Sequence, residues 1–311
     1  MHTIFFDLDG TLLPLTQEDF SRAYFGLLML KGAEMGIDRE KMKKGLFGGV
    51  KAMVMNDGNH SNEEVFWNVF SSATETNRND TEPVFREFYS NEFKQVKSVM
   101  TYTETSAKLI KLLKDKGYRI VLATNPLFPI EAVTERMSWV GLRADDFEYI
   151  TTYENSSYCK PNSKYYAEIM EKLNLKAEDC LMVGNNATED MAANKVGIKT
   201  YLVTDVLENE QNLDISVFKS YYLNTITSTC DFHFWYKSLL TRIRAVSIGQ
   251  WVWVPIRNCW YTKTGHIGWI SHSIISDFIS STNFVGVVNF ICAINKTITT
   301  IISIVFIIEN N

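Results

Sequence analysis

The chain has 311 residues, with 31 Lys and Arg against 36 Asp and Glu, for a formal net charge of −5. That length suits about two domains and is ample to bury a core without a disulfide framework. The negative balance argues against a nucleic-acid partner held mainly by phosphate contacts. The cysteines, at 159, 180, 230, 259 and 292, form no Cys-x-x-Cys pair, so they read as reduced thiols and not as zinc ligands. The opening His2-Thr3-Ile4-Phe5-Phe6 has neither the basic head nor the long apolar run of a signal peptide, and a cytoplasmic location is expected.

In chain order, residues 3–8 are rich in Ile and Phe and read as a buried parallel strand. From Gln17 to about Val96 the spacing turns helical and highly charged. Ser61-Asn62-Glu63-Glu64 is a helix start, with Ser61 as cap and Glu64 three residues on. Gly48-Gly49 and Asn56-Asp57-Gly58-Asn59 are turn chemistry between helices. Helix and strand then alternate: helices over 105–116, 131–140, 163–173 and 189–196, and strands over 119–123, 149–153, 180–183 and 199–203. This alternation predicts an α/β fold, a doubly wound parallel sheet covered on both faces. Such sheets bind ligands beyond the carboxyl ends of their strands, so the polar clusters at those ends matter most.

Four clusters stand there. Asp7-Leu8-Asp9-Gly10-Thr11 follows the first strand; two carboxylates two residues apart on extended chain point the same way and attract a cation. Magnesium suits one or two acids plus a substrate phosphate, although Asp and Gly also serve simply as turn residues. Thr124-Asn125 follows the second strand, where a hydroxyl and backbone N–H groups can hold a phosphoryl oxygen. Lys160-Pro161 precedes a helix and offers a point charge for phosphate. Gly184-Asn185-Asn186-Ala187-Thr188-Glu189-Asp190 follows another strand, and its acids either complete a metal site or simply favour a helix N-terminus.

Taken together in this order and strand context, the clusters resemble those of the haloacid dehalogenase superfamily over about residues 1–215. The resemblance implies a Rossmann-like core and a phosphate-ester hydrolase. It implies Asp7 as the nucleophile and Asp9 as the acid and base, with Thr124, Asn125 and Lys160 on the phosphoryl group. Magnesium is then expected on Asp7, Asp9, Asp190 and Asn185. The substrate class implied is a small phosphorylated metabolite. The second aspartate, Asp9, favours phosphate chemistry over carbon–halogen cleavage. One departure stands out: the family's acid just after the last-motif glycine, or one residue later, is here an amide at both Asn185 and Asn186. Weaker magnesium binding follows, partly rescued by Glu189, and Asn185→Asp is expected to lower the magnesium needed for half activity. A phosphomutase shares all four motifs, and a phosphate-binding module with weakened catalysis is the reading from another class.

Residues 1–15 and 96–220 are expected to form the core, with 16–95 as the helical cap that many members insert at this point. Lys43, Lys44 and Lys51 have the reach to touch an anionic substrate but read as solvated, and Trp67, at helical spacing with Phe70, reads as core. Residues 221–311 are chemically distinct. Their acids are Asp231, Asp277 and Glu309, their bases Lys237, Arg242, Arg244, Arg257, Lys263 and Lys296, and they hold five of the seven tryptophans. The stretch from Phe278 to Ile308 is weakly membrane-like but is interrupted by Ser, Thr and Asn, whereas a span needs about 20 mostly apolar residues. A join to a shifted reading frame is the preferred explanation of this tail. Oligomeric state is not legible.

Overall fold

The computed structural model describes residues 2–100, 102–221, 223, 259–261 and 267–269. The chain divides into two units, Met1–Trp235 and Tyr236–Asn311. In the second, the described element is an antiparallel pair, β7 (Cys259–Tyr261) with β8 (Ile267–Trp269). The expectations for the tail, a shifted frame or a weakly membrane-like segment, otherwise fall outside the described residues. Among the described residues no helix is long and apolar enough to cross a membrane.

The first unit is built on six parallel strands: β1 (Thr3–Phe6), β2 (Arg119–Leu122), β3 (Tyr149–Ile150), β4 (Cys180–Gly184), β5 (Lys199–Val203) and β6 (Ser220–Tyr221). Their order is β3-β2-β1-β4-β5-β6, every pair parallel. Period-two alternation sends side chains to opposite faces. Ile4, Phe6, Ile120, Leu122 and Val183 pack into one apolar cluster, while Phe5, Val121, Ala123, Cys180 and Met182 join Tyr165, Tyr166 and Ile169 in another. The doubly wound α/β expectation is met.

Between β1 and β2 lie α1 (Gln17–Glu34), α2 (Arg39–Val54), α3 (Asn62–Thr74), α4 (Arg78–Ser90), a 3-10 helix (Glu92–Val99) and α5 (Thr105–Asp115). The capping box of α3 forms as read: Glu64 N donates to Ser61 Oγ, and the Glu64 carboxylate accepts from Ser61 N. The N–H groups of a helix's first turn have no intrahelical partner. Here Asn62 N donates to Ser156 O at 2.9 Å and Glu63 N to Tyr153 O at 2.9 Å, and the buried Asn62 Nδ2 reaches Pro126 O at 3.2 Å. These bonds fasten the start of α3 onto the loops that follow β2 and β3.

The remaining helices are α6 (Ile130–Ser138) and α7 (Ser163–Lys172). Two expected elements are shorter than read. The strand over 149–153 is confined to Tyr149–Ile150: Thr151 N still reaches Leu122 O at 3.0 Å, but Thr152 N turns to Asn155 Oδ1 at 2.9 Å and Tyr153 N to Phe128 O at 3.0 Å. The helix over 189–196 is a 3-10 segment, Met191–Val196, with i+3 bonds such as Ala193 N to Asp190 O. Its first turn is drawn aside because the Asp190 carboxylate bonds Lys160 and Asn186 N.

Candidate active site

The register brings three strand ends level. Phe6 lies opposite Leu122 on one side and Val183 on the other. Asp7 N continues the ladder to Val183 O at 2.9 Å before the chain leaves the sheet. Strand order reverses at β1, so Asp7, Thr124 and Asn185 emerge around the switch point where open sheets bind ligands. The turn after Asp7 needs Gly10. Its φ is +75°, and a Cβ there would collide with the Asn185 side chain.

Lys160 is the hub. Its ammonium, 1% exposed, donates to Asp7 Oδ1 at 2.7 Å and Asp190 Oδ1 at 2.6 Å. Burial alone would lower its pKa, but the Asp190 and Asp7 charges reverse that and raise it. Asp7 is pushed well above the usual carboxylate range by burial, with Asp190 and Asp9 adding to the rise and Lys160 opposing it. Asp190 has both oxygens committed, the second accepting from Asn186 N at 2.9 Å. Asn125 also bridges clusters: its Oδ1 accepts from Lys160 N at 3.2 Å and its Nδ2 donates to Glu189 at 3.0 Å. Thr124 is buried, and its carbonyl accepts from Thr151 and Tyr165.

Asp9 meets a residue that sequence reasoning missed. Arg136 on α6 is fully buried, and its Nη1 donates to Asp9 Oδ2. Its guanidinium lies 4.4 Å from the Phe128 ring centre and 5.4 Å from that of Phe20, and its Nε donates to Ala132 O. Asp9 Oδ1 is buried with no partner among the described residues. The available signal was a cation on the apolar α6 face that carries Ala132, Val133 and Met137.

Both amides of the last cluster are engaged. Asn185 Oδ1 accepts from Thr11 at 2.9 Å while its Nδ2 donates to Val206 O at 2.7 Å. Asn186 Oδ1 accepts from the N–H groups of Thr188 and Glu189, and its Nδ2 donates to Glu208 at 3.0 Å. Glu208 is the second residue the sequence did not flag. The carboxylate of Glu189, expected to rescue metal binding in part, accepts from Asn125, and burial pushes its carboxyl up to about 7.

The haloacid dehalogenase-like hydrolase model matches residues 1–197. The chain belongs to that family. Among curated relatives, it is 25% identical over 210 residues to a glyceraldehyde 3-phosphate phosphatase of Methanothermobacter thermautotrophicus, covering 67% of this chain and 87% of that one. It is 21% identical over 217 residues to the pyrophosphatase PpaX of Bacillus pumilus, covering 68% and 88%. A solved HAD phosphatase from Thermococcus onnurineus is 19% identical, with a TM-score of 0.49 over 74% of this chain and 98% of that one.

Magnesium is the metal this family implies, and the donors suit it. Asp7 Oδ2 has only a 3.5 Å contact from the Thr11 hydroxyl, Asp9 Oδ1 is unpartnered, and Asn185 Oδ1 keeps one lone pair. All are hard oxygen donors. Among the described residues no three His, Cys, Asp or Glu groups cluster as a metal cage. Lys44 and Lys51 are exposed on α2, and Lys43 is paired with Glu40. Trp67 is core, packed edge-on against Phe70 and Phe85. It also lines a cavity of about 140 Å³ with Phe20, Tyr24, Tyr89, Phe128 and Tyr153. Phe20 and Phe128 thus face the cavity and flank the Arg136 that holds Asp9.

Proposed function

We propose that this chain is a magnesium-dependent phosphomonoesterase that works through an aspartyl-phosphate on Asp7. The observation that carries the reading is the Asp7 carboxylate at the end of β1, with one oxygen fixed by Lys160 at 2.7 Å and the other left with the long Thr11 contact. A carboxylate nucleophile divides hydrolysis into two easier displacements. Asp7 attacks phosphorus, the ester P–O bond breaks, and the leaving alkoxide takes a proton from Asp9. Water then attacks the aspartyl-phosphate, gives its proton to Asp9, and frees Asp7 and inorganic phosphate. Lys160 neutralises charge on the phosphoryl group, with the Thr124 hydroxyl beside it. Magnesium, held by Asp7, Asp9 and Asn185 with Asp190 behind Lys160, would supply further charge neutralisation.

Arg136 holds Asp9 Oδ2, which leaves Asp9 Oδ1 as the oxygen that faces the exchanging proton. Helices within 16–95 act as a cap over the core of 1–15 and 96–220, excluding water when substrate is bound. The aromatic cavity beside Arg136 supports a small phosphorylated metabolite whose organic part presents apolar surface. The names of the two curated relatives, both acting on phosphate compounds, support the phosphate class. The test is turnover of p-nitrophenyl phosphate by the full chain. Phosphate release that needs magnesium and disappears in Asp7→Asn is expected; release unaffected by Asp7→Asn overturns the reading. With a hexose phosphate in place of p-nitrophenyl phosphate, recovery of free phosphate, not of an isomerised phosphosugar, distinguishes hydrolysis from mutase chemistry.

A further inference from the structure

Glu208 lies on the loop after β5, and the backbone holds it on both sides: Glu208 N donates to Asn185 O at 3.0 Å, and Ala187 N donates to Glu208 O at 2.9 Å. The two loops form a parallel bridge at Asn186 and Glu208. From that clamp the Glu208 carboxylate accepts the Asn186 Nδ2 proton at 3.0 Å. It therefore sits against the position where this family carries an acid and this chain carries an amide. The Asn186 oxygen is already saturated by two backbone N–H donors, so Asn186 has no lone pair left for a cation. The ion-paired groups at the site, Asp7, Asp9 and Asp190 against Lys160 and Arg136, sum to one net negative charge, short of what balances a divalent ion; the Glu189 carboxylate is turned to Asn125.

We propose that Glu208 supplies, across one hydrogen bond to Asn186, the negative charge that the amides at 185 and 186 lack, and that it thereby sets the magnesium affinity of the site. This rests on the magnesium-dependent reading above. Glu208 is a positioning residue: Asn186 and the Asn185 backbone hold it in place, and it acts on the cation through its charge. Groups beyond the direct ligands typically change metal affinity by about 10–100-fold when removed.

Magnesium titration calorimetry of the full chain, without substrate, tests this. Glu208→Gln keeps the shape and both backbone bonds, and near-UV circular dichroism in EDTA checks that it is folded. It should weaken magnesium binding about tenfold or more. Moving the charge back, in Asn186→Asp combined with Glu208→Gln, should restore affinity to within about threefold of the parent. Asp7→Asn serves as the control. If Asp7→Asn weakens binding and Glu208→Gln does not, the role of Glu208 is overturned while the magnesium site stands. If neither weakens binding, the magnesium site itself falls, and this inference with it.

Discussion

Replacing Lys160 with methionine removes the cation that bonds both Asp7 and Asp190, leaving two buried carboxylates facing each other. Removing one partner of a buried ion pair typically costs about 3–5 kcal/mol, because the remaining charge is buried and uncompensated. With two carboxylates abandoned, the upper part of that range is expected. For a folded unit of this size it corresponds to a fall in Tm of about 6–20 °C. The loss must also depend on pH. Burial already holds the Asp7 carboxyl well above its ordinary range, and Lys160 opposes that rise. An acid whose pKa is higher folded than unfolded weakens the fold as pH rises above the unfolded value. Without Lys160 that penalty grows, so the deficit is largest well above the raised Asp7 pKa and shrinks as protonation removes the stranded charge. The wild-type Lys160 contribution is constant across this window, since its raised pKa places its loss only in strongly alkaline solution. Thermal unfolding by circular dichroism, in EDTA at about pH 8 and about pH 5, measures both effects. A deficit under about 1 kcal/mol, or one equal at the two pH values, refutes the reasoning.

Glu189 should contribute stability below the ordinary glutamate range that is lost as pH rises toward its raised value of about 7, a swing of up to about 3 kcal/mol. Glu189→Gln should therefore flatten the urea-midpoint profile across that interval. Asn185→Asp should lower the magnesium needed for half-maximal turnover. It also turns an oxygen toward Val206 O, where Nδ2 now donates at 2.7 Å, so a stability loss of about 1–3 kcal/mol should appear in urea denaturation. Arg136→Met strands the Asp9 carboxylate and empties the space between Phe20 and Phe128, for a loss of about 3–5 kcal/mol. Arg136→Lys should recover only part of this, because lysine lacks the planar face that stacks on the rings.

The strand ends were legible because they are local. Ile4-Phe5-Phe6 before Asp7, or Leu181-Met182-Val183 before Gly184, carries its own apolar run and its own polar stop. The α3 capping box was equally readable, since its two bonds lie within four residues. Arg136 and Glu208 were not legible as site residues. Their partners, Asp9 and Asn186, lie far away in sequence, and only the parallel crossovers bring them together. The same holds for the committed amides. Asn185 reads as a free donor set in sequence, but its two ends are taken up by Thr11 and Val206 once the loops meet. Glu189 reads in sequence as a carboxylate that could help the amides hold magnesium, whereas the fold turns its carboxylate toward Asn125. Sequence distance governs what is readable: contacts within a turn are visible, and contacts between crossovers are not.

The central claim is that Asp7 carries the phosphoryl group between the two displacements. It is tested most directly by acid-quenching the full chain during turnover of p-nitrophenyl phosphate with magnesium, reducing with borohydride, and sequencing the peptides by mass spectrometry. Homoserine at position 7, and at no other aspartate, is the predicted result. Turnover with Asp7 left unmodified would contradict the account.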